Sequence, residues 1–312
     1  MPQQLHVVLG AGPAGTALAR ELARRGHHVR LVNRSGAGPD AEGVERARAD
    51  VLNAAELRTA VHGADVVHHC VNVDYYRQVE VLPKVQDAVL AAAAEADARL
   101  VVLDTLYPYG ETGGAVMTER TPMTATTRKG RMRAELDENY LAAHRSGRVR
   151  VALGRSADFF GPRVFNSTLG ATAFPPALTG DRVLGFGDLD LLHSYTFIDD
   201  VAAGLAVLGE HPESDGQVWH LPTAPASTTR EVHEIIGKLA GRPLDVHVLR
   251  EPEPFGPFDE VFMGEYAELF YQHTEHQVMD SQAFERTFGT RPTPLVTALE
   301  TTLDWFRTAI SR

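Results

Sequence analysis

Leu5-His6-Val7-Val8-Leu9-Gly10-Ala11-Gly12-Pro13-Ala14-Gly15 decides how this chain begins. A short apolar run enters G-x-G-x-x-G, and a helix-prone stretch, Ala17 to Arg25, follows at once. Each glycine has its own physical use. Gly10 permits the tight turn, Gly12 leaves room for a pyrophosphate to approach the backbone, and Gly15 lets the helix pack close to the strand. The helix N-terminus, opened by Pro13 and Ala14, offers unpaired N–H groups and a positive dipole end to phosphate. A second apolar run, Val29-Arg30-Leu31-Val32, arrives at the spacing of a βαβ unit. Strand before and helix after turn a weak glycine motif into an expectation of dinucleotide binding.

The residues closing that second run choose the cofactor. An NAD site usually places Asp or Glu there, to accept from the ribose 2′-hydroxyl. This chain has Asn33-Arg34-Ser35, with no carboxylate. A guanidinium beside a hydroxyl suits a 2′-phosphate, because Arg matches phosphate oxygens in a fork. NADP(H) is therefore expected in preference to NAD(H), with Asn33, Arg34 and Ser35 around the phosphate.

Over 312 residues, 44% hydrophobic and 23% charged, the composition is that of a soluble globular chain of one large or two modest domains. A net charge of −11 argues against nucleic acid. The one cysteine, Cys70, excludes an intramolecular disulfide and fits a reducing, cytoplasmic setting. Neither a signal peptide nor a membrane-spanning apolar run is read, so a soluble monomer or homodimer with a small-molecule partner is expected.

Strand and helix signals alternate from Leu5 to about Leu153, which implies a doubly wound parallel sheet, the α/β Rossmann architecture. Strands are expected at Val44–Asp50, Val66–Val71, Arg99–Leu103 and Val149–Leu153, with helices at Ala54–Val61, Tyr76–Ala96 and Gly130–Ser146. Beyond Phe160-Gly161-Pro162 the alternation weakens. Residues 1–165 are assigned to the dinucleotide-binding domain, to which the chain returns at about 195–225. Residues 166–194 and 226–312 are assigned to a smaller, interleaved substrate domain.

Several later motifs, taken in order, resemble one family: the extended short-chain dehydrogenases/reductases of the NAD-dependent epimerase/dehydratase type. Asp50-Val51 is similar to the acid-plus-apolar pair that contacts adenine there. Val67-His68-His69-Cys70-Val71 sits where the family's strand ends in His-Leu-Ala-Ala, which puts Cys70 and Val71 beside the cofactor. Thr105 through Tyr109-Gly110 resembles Ser/Thr-x-x-x-Tyr-Gly. Arg155 to Pro162 resembles Arg-Pro-x-Asn-x-Tyr-Gly-Pro, and Phe197 to Ala202 resembles Phe-x-x-Val-Asp-Asp-x-Ala. The resemblance implies an enzyme that moves a hydride to or from a bound nicotinamide.

One departure bears on mechanism. The family's Tyr-x-x-x-Lys is missing: Thr127 and Arg131, or in another register Ala125 and Lys129, occupy its places. The resemblance makes Thr105 the hydroxyl that holds the reacting oxygen, and gives Arg131 or Lys129 the nicotinamide ribose. Tyr107, just past the fifth strand, is the phenol expected to supply the proton, acidified by one of those cations. His68 and His69 are read as core histidines. No metal is expected, since His273 and His276 lack a third ligand at suitable spacing. Phe258, Phe262, Tyr266 and Phe270 recur at i, i+4 as one helical face, and Glu251 to His276 carries no Lys or Arg. That stretch suits an apolar or neutral substrate, or a lid over one.

Three functions follow as expectations. The first is an NADP(H)-dependent oxidoreductase acting on a small carbonyl-bearing substrate. The others are a nucleotide-sugar epimerase or dehydratase with a displaced acid/base, and a non-catalytic NADP(H)-binding sensor or scaffold.

Overall fold

The computed structural model describes residues 3–256 and 258–311. Its centre is a seven-stranded parallel sheet. The strands in chain order are β1 (Leu5–Leu9), β2 (His28–Asn33), β3 (Val44–Arg48), β4 (Val66–His69), β5 (Arg99–Thr105) and β6 (Val151–Ser156). A late strand, β11 (Val218–His220), completes the spatial order 3-2-1-4-5-6-11. β4 and β6 are buried at every residue, as strands covered on both faces must be, although each carries polar residues, His68 and His69 in β4 and Arg155 and Ser156 in β6. The strand order reverses between β1 and β4, and the crevice beyond their carboxyl ends is where ligands bind in such sheets.

The crossover helices are α1 (Pro13–Arg24), α2 (Ala54–Val61), α3 (Tyr75–Glu95) and α4 (Arg128–Arg145). Local chemistry starts them. Asn53 accepts from the Ala55 and Glu56 amides at the head of α2, and Thr127 accepts from the Gly130 amide at the head of α4. Several strand bounds shift slightly: β6 begins at Val151 and runs through to Ser156 and β5 runs to Thr105, while β4 stops at His69 and β3 at Arg48. In the first case continued pairing of Asp104 with Arg155 and Thr105 with Ser156 extends both strands.

After β6 the chain forms β7 (Asp158–Phe160), α5 (Phe174–Thr179), β8 (Val183–Phe186), β9 (Leu192–His193) and β10 (Tyr195–Phe197). It then returns to the sheet through α6 (Ile198–Glu210), which packs on α1, and β11. The remainder is β12 (Ser227–Thr228), α7 (Thr229–Ala240), β13 (Val246–Leu249), α8 (Glu260–Tyr266), α9 (Gln282–Phe288) and α10 (Leu295–Ile310). β13 pairs with β8, and α10 packs on α5 and α7, so sequence-distant segments are interleaved. One apolar core runs from Val8 and Val101 through Leu205 to Phe174 and Phe306. The C-terminal segments thus share a core with one face of the sheet.

The expected single aromatic helix is divided. α8 ends at Tyr266, and Ala267–His273 continues as a tighter 3-10 segment. Phe258 lies ahead of α8, yet Phe258, Phe262 and Tyr266 still stack in sequence, with ring centroids 4.9 and 5.7 Å apart.

Candidate functional site

The glycine loop joins β1 to α1. Gly10 has φ +102°, and a Cβ there would lie 2.8 Å from the Cys70 carbonyl oxygen. A Cβ on Gly15 would lie 1.9 Å from the Gly10 carbonyl oxygen, an impossible contact. A Cβ on Gly12 would meet nothing within 4 Å. Two glycines are therefore needed for backbone-on-backbone packing, while the third faces open space. No side chain caps α1, so its leading amides are left for a phosphate. This cradle fits a dinucleotide.

A cleft of about 610 Å³ extends from that loop. It is lined by Gly12, Pro13 and Thr16, by Asn33, Arg34 and Ser35, and by Arg163 and Phe165. Asn33 and Ser35 are largely occupied in shaping their own turn. Asn33 accepts from the Ser35 amide (3.0 Å) and hydroxyl (2.7 Å), and Ser35 Oγ accepts from the Ala37 amide (3.2 Å). In this turn the Ser35 proton is donated to Asn33. Arg34 is exposed and, among the described residues, has no ion-pair partner. Sequence reasoning missed Arg163, which reaches this cleft from the loop after β7.

Asp50 and Val51 follow β3, with Asp50 Oδ1 accepting from the Leu52 amide at 3.0 Å. Cys70 and Val71 follow β4. Burial pushes the Cys70 thiol up to about 12, so it remains a protonated wall residue. His68 bonds His6 ring to ring at 2.9 Å with its Nδ1 left unpartnered among the described residues, and His69 accepts from the Val71 amide at 3.3 Å, so both lie in the core.

At the end of β5, Thr105 Oγ1 accepts from the Tyr107 amide at 3.3 Å, which leaves its own proton free to donate. Tyr107 begins a single 3-10 turn, Tyr107–Tyr109, and its hydroxyl lies 3.2 Å from that of Tyr75. Burial, then the neighbouring Tyr75 and Asp158, push the Tyr107 phenol well above its ordinary value. The expectation of an acidified phenol is thereby reversed, for a structural reason at the head of α4. Lys129 is fully buried, and its three protons meet the Glu265 carboxylate, Glu268 Oε1 (2.7 Å) and the Glu265 carbonyl (3.1 Å). An ammonium so saturated has nothing left for a ribose or a phenol. Arg131 is exposed and turned back onto the Thr126 carbonyl, and Thr127 Oγ1 accepts from the Gly130 amide as the N-cap.

Polar residues that sequence reasoning did not select gather near Tyr107. Asp158 stands at the asparagine place of the Arg155–Pro162 run. Burial raises its carboxyl, but the His193 bond (3.2 Å) and nearby imidazoles outweigh that and hold it below the usual carboxylate range. His193 stacks on His273 with centroids 5.6 Å apart, and His273 Nε2 meets the Tyr266 hydroxyl at 2.6 Å. His276 instead accepts from the Leu192 amide, so His273 and His276 serve separate partners. Among the described residues no cluster has the make-up of a metal site, and no helix is long and apolar enough to cross a membrane.

No curated protein matches this chain. Solved structures do, at low identity. An epimerase from Methanothermobacter thermautotrophicus superimposes with TM-score 0.83 at 18% identity, covering 99% of this chain and 94% of its own. A UDP-N-acetylglucosamine 4-epimerase from Methanobrevibacter ruminantium, in complex with UDP-N-acetylmuramic acid, gives 0.81 at 17%, covering 99% and 100%. A dTDP-glucose 4,6-dehydratase from Bacillus anthracis, in complex with NAD, gives 0.81 at 16%, covering 99% and 98%. These likenesses establish the fold. Residues 6–221 match the model of the NAD dependent epimerase/dehydratase family, which takes in the glycine cradle, Thr105 and the strand that completes the sheet. With its NAD(P)-binding Rossmann sheet, the chain belongs to that family of enzymes.

Proposed function

We propose that the protein is an NADP(H)-dependent oxidoreductase acting on a small carbonyl-bearing substrate, with NAD(H) the weaker cofactor. The observation that carries the reading is the cleft that joins the glycine cradle to Arg34, where a family member selecting NAD would carry an acid. Nicotinamide, when bound, supplies or takes the hydride. The remaining work falls to side chains beyond β5. Thr105 donates its free proton to the substrate oxygen and fixes it. Tyr107, kept neutral by burial, gives its proton as negative charge develops on that oxygen, since an alkoxide is far more basic than even a buried phenolate. Tyr75, whose hydroxyl meets that of Tyr107, is placed to restore the proton from solvent.

The substrate side supports a neutral compound. Glu251 to His276 has no Lys or Arg, and Lys129 is claimed by Glu265 and Glu268. A nucleotide diphosphate would ask for free cations there. The complexes of structural neighbours with nucleotide sugars keep a second reading, a nucleotide-sugar epimerase or dehydratase, in play.

Single-turnover hydride transfer separates these readings, followed as oxidation of bound NADPH by a panel of carbonyl compounds and as reduction of bound NADP+ or NAD+ by nucleotide sugars, which first give up a hydride. Turnover confined to small carbonyls supports the first, and turnover of nucleotide sugars the second. Binding without any turnover points to a sensor or scaffold. With a substrate in hand, Tyr107→Phe and Thr105→Val should each slow hydride transfer roughly 100-fold or more. An undiminished rate in Tyr107→Phe removes that role. A loss confined to Thr127→Val returns the chemistry to the family's usual position.

A further inference from the structure

We propose that Arg163 is a second cation of the cofactor's 2′-phosphate site, working with Arg34 from a different part of the chain. The inference rests on the NADP(H) reading and names a specificity residue that neither the motif nor the family resemblance supplies. Arg163 lines the same cleft as Gly12, Pro13, Arg34 and Ser35. Its side chain is exposed and, among the described residues, has no hydrogen-bond or ion-pair partner. In a chain of net charge −11, two unengaged guanidinium groups in one cleft are not a general basic surface.

The backbone adds an independent observation. Arg163 has φ +69°, a conformation shared among the described non-glycine residues only with Asp97. Glycine would occupy it without strain. The loop leaves the residue no alternative. Gly161 at φ +142° packs against Ile198, and the Val164 amide bonds back to the Gly161 carbonyl at 3.2 Å. A long cationic side chain is thus held in a disfavoured conformation at the rim of a phosphate cleft, which is where stored strain has a use. Phe165, exposed but with its ring set against Trp305 and Phe306 at 5.7 and 5.6 Å, gives the same rim a flat apolar wall.

The test is calorimetric titration of 2′,5′-ADP and of 5′-AMP, which lacks only the 2′-phosphate, into wild type, Arg34→Ala, Arg163→Gly and Arg163→Gln. Each variant should lose about ten-fold or more in affinity for 2′,5′-ADP and change less than about two-fold for 5′-AMP. Arg163→Gly should melt no lower than wild type, because it relieves the strain, so lost binding cannot be laid to misfolding. Unchanged 2′,5′-ADP binding in Arg163→Gly, with a loss in Arg34→Ala, overturns this proposal and leaves the NADP(H) reading standing. Equal losses for both ligands overturn it as well. A wild type that binds 5′-AMP as tightly as 2′,5′-ADP overturns both.

Discussion

Arg155 should be the most costly single side chain to remove from this fold. It is 1% exposed, lies 2.9 Å from Asp104 Oδ2, pairs with Asp137 through its other arm, and stands 4.5 Å over the Tyr109 ring. Asp104 and Asp137 are each as buried as the arginine. One guanidinium thus ties β5, β6 and α4 together just behind the strand ends that carry Thr105 and Asp158. Burial, then the Asp104 charge, push the Asp137 carboxyl well above its usual range. Arg155→Leu keeps apolar bulk but leaves two buried carboxyls. Asp104 retains only Arg133, at 3.9 Å, while Asp137 must take up a proton. Removing one partner of a buried pair costs about 3–5 kcal/mol, which is about 5–8 °C in melting midpoint for a chain this long. Asp137→Asn, which keeps the shape and ends the repulsion between the acids, should cost under about 1 kcal/mol. Urea and thermal denaturation of the two variants decide it. A loss under about 1 kcal/mol for Arg155→Leu, or an equal loss for Asp137→Asn, refutes the clamp.

Acid should weaken the protein before most carboxylates titrate. Burial lowers His6 and His273 to about 3 and His69, His220 and His233 to about 4. Below pH 6.5 the unfolded chain binds protons that the folded chain refuses. Stability is therefore full above that pH and falls as pH drops toward 4. The slope of unfolding free energy between pH 6 and 5 should report at least about two protons, and fewer than about one contradicts the burial argument. Lys129→Met should loosen the 251–276 segment, losing about 2–4 kcal/mol and speeding proteolysis there, while cofactor affinity stays within about two-fold. A large cofactor loss would show that the lysine serves the ribose after all. Arg34→Ala should remove the preference for NADP(H) over NAD(H), roughly 10- to 150-fold in affinity; a preserved preference, read by titrating both cofactors, places the 2′-phosphate elsewhere.

Sheet and glycine loop were legible because they rest on local, periodic signals. Leu5–Leu9 had to be a buried strand, Gly10 had to turn, and Gly15 had to yield to the Gly10 carbonyl. Arg34 was legible because the end of β2 is a fixed distance in sequence from that loop. Arg163 was not, since nothing between positions 34 and 163 says that the loop after β7 folds back over α1. Its signal was a guanidinium immediately after Phe160-Gly161-Pro162, which acquires meaning only with the cleft in view. Nor could sequence show that His193 meets Asp158, because β9 and β7 are joined only by tertiary packing.

Two charge patterns each looked functional alone. Arg128-Lys129-Gly130-Arg131 lay where the family keeps its lysine, and the acidic 251–276 stretch suggested a substrate lid. In the fold they answer one another. Arg128 and Lys129 pair with Glu265 and Glu268, and the aromatic rings of α8 lean on Tyr75, at 5.6 Å for Phe262 and 6.0 Å for Tyr266. A buried ammonium needs compensating charge, because an unpaired one could not stay buried. The glutamates supply it from the segment that also carries Tyr266 and His273, whose side chains bond each other at 2.6 Å. The basic head of α4 and the acidic, aromatic segment therefore pack as one unit. Lys129 anchors α8 and the turn after it beside α4, and in the proposed function the proton is left to Tyr107.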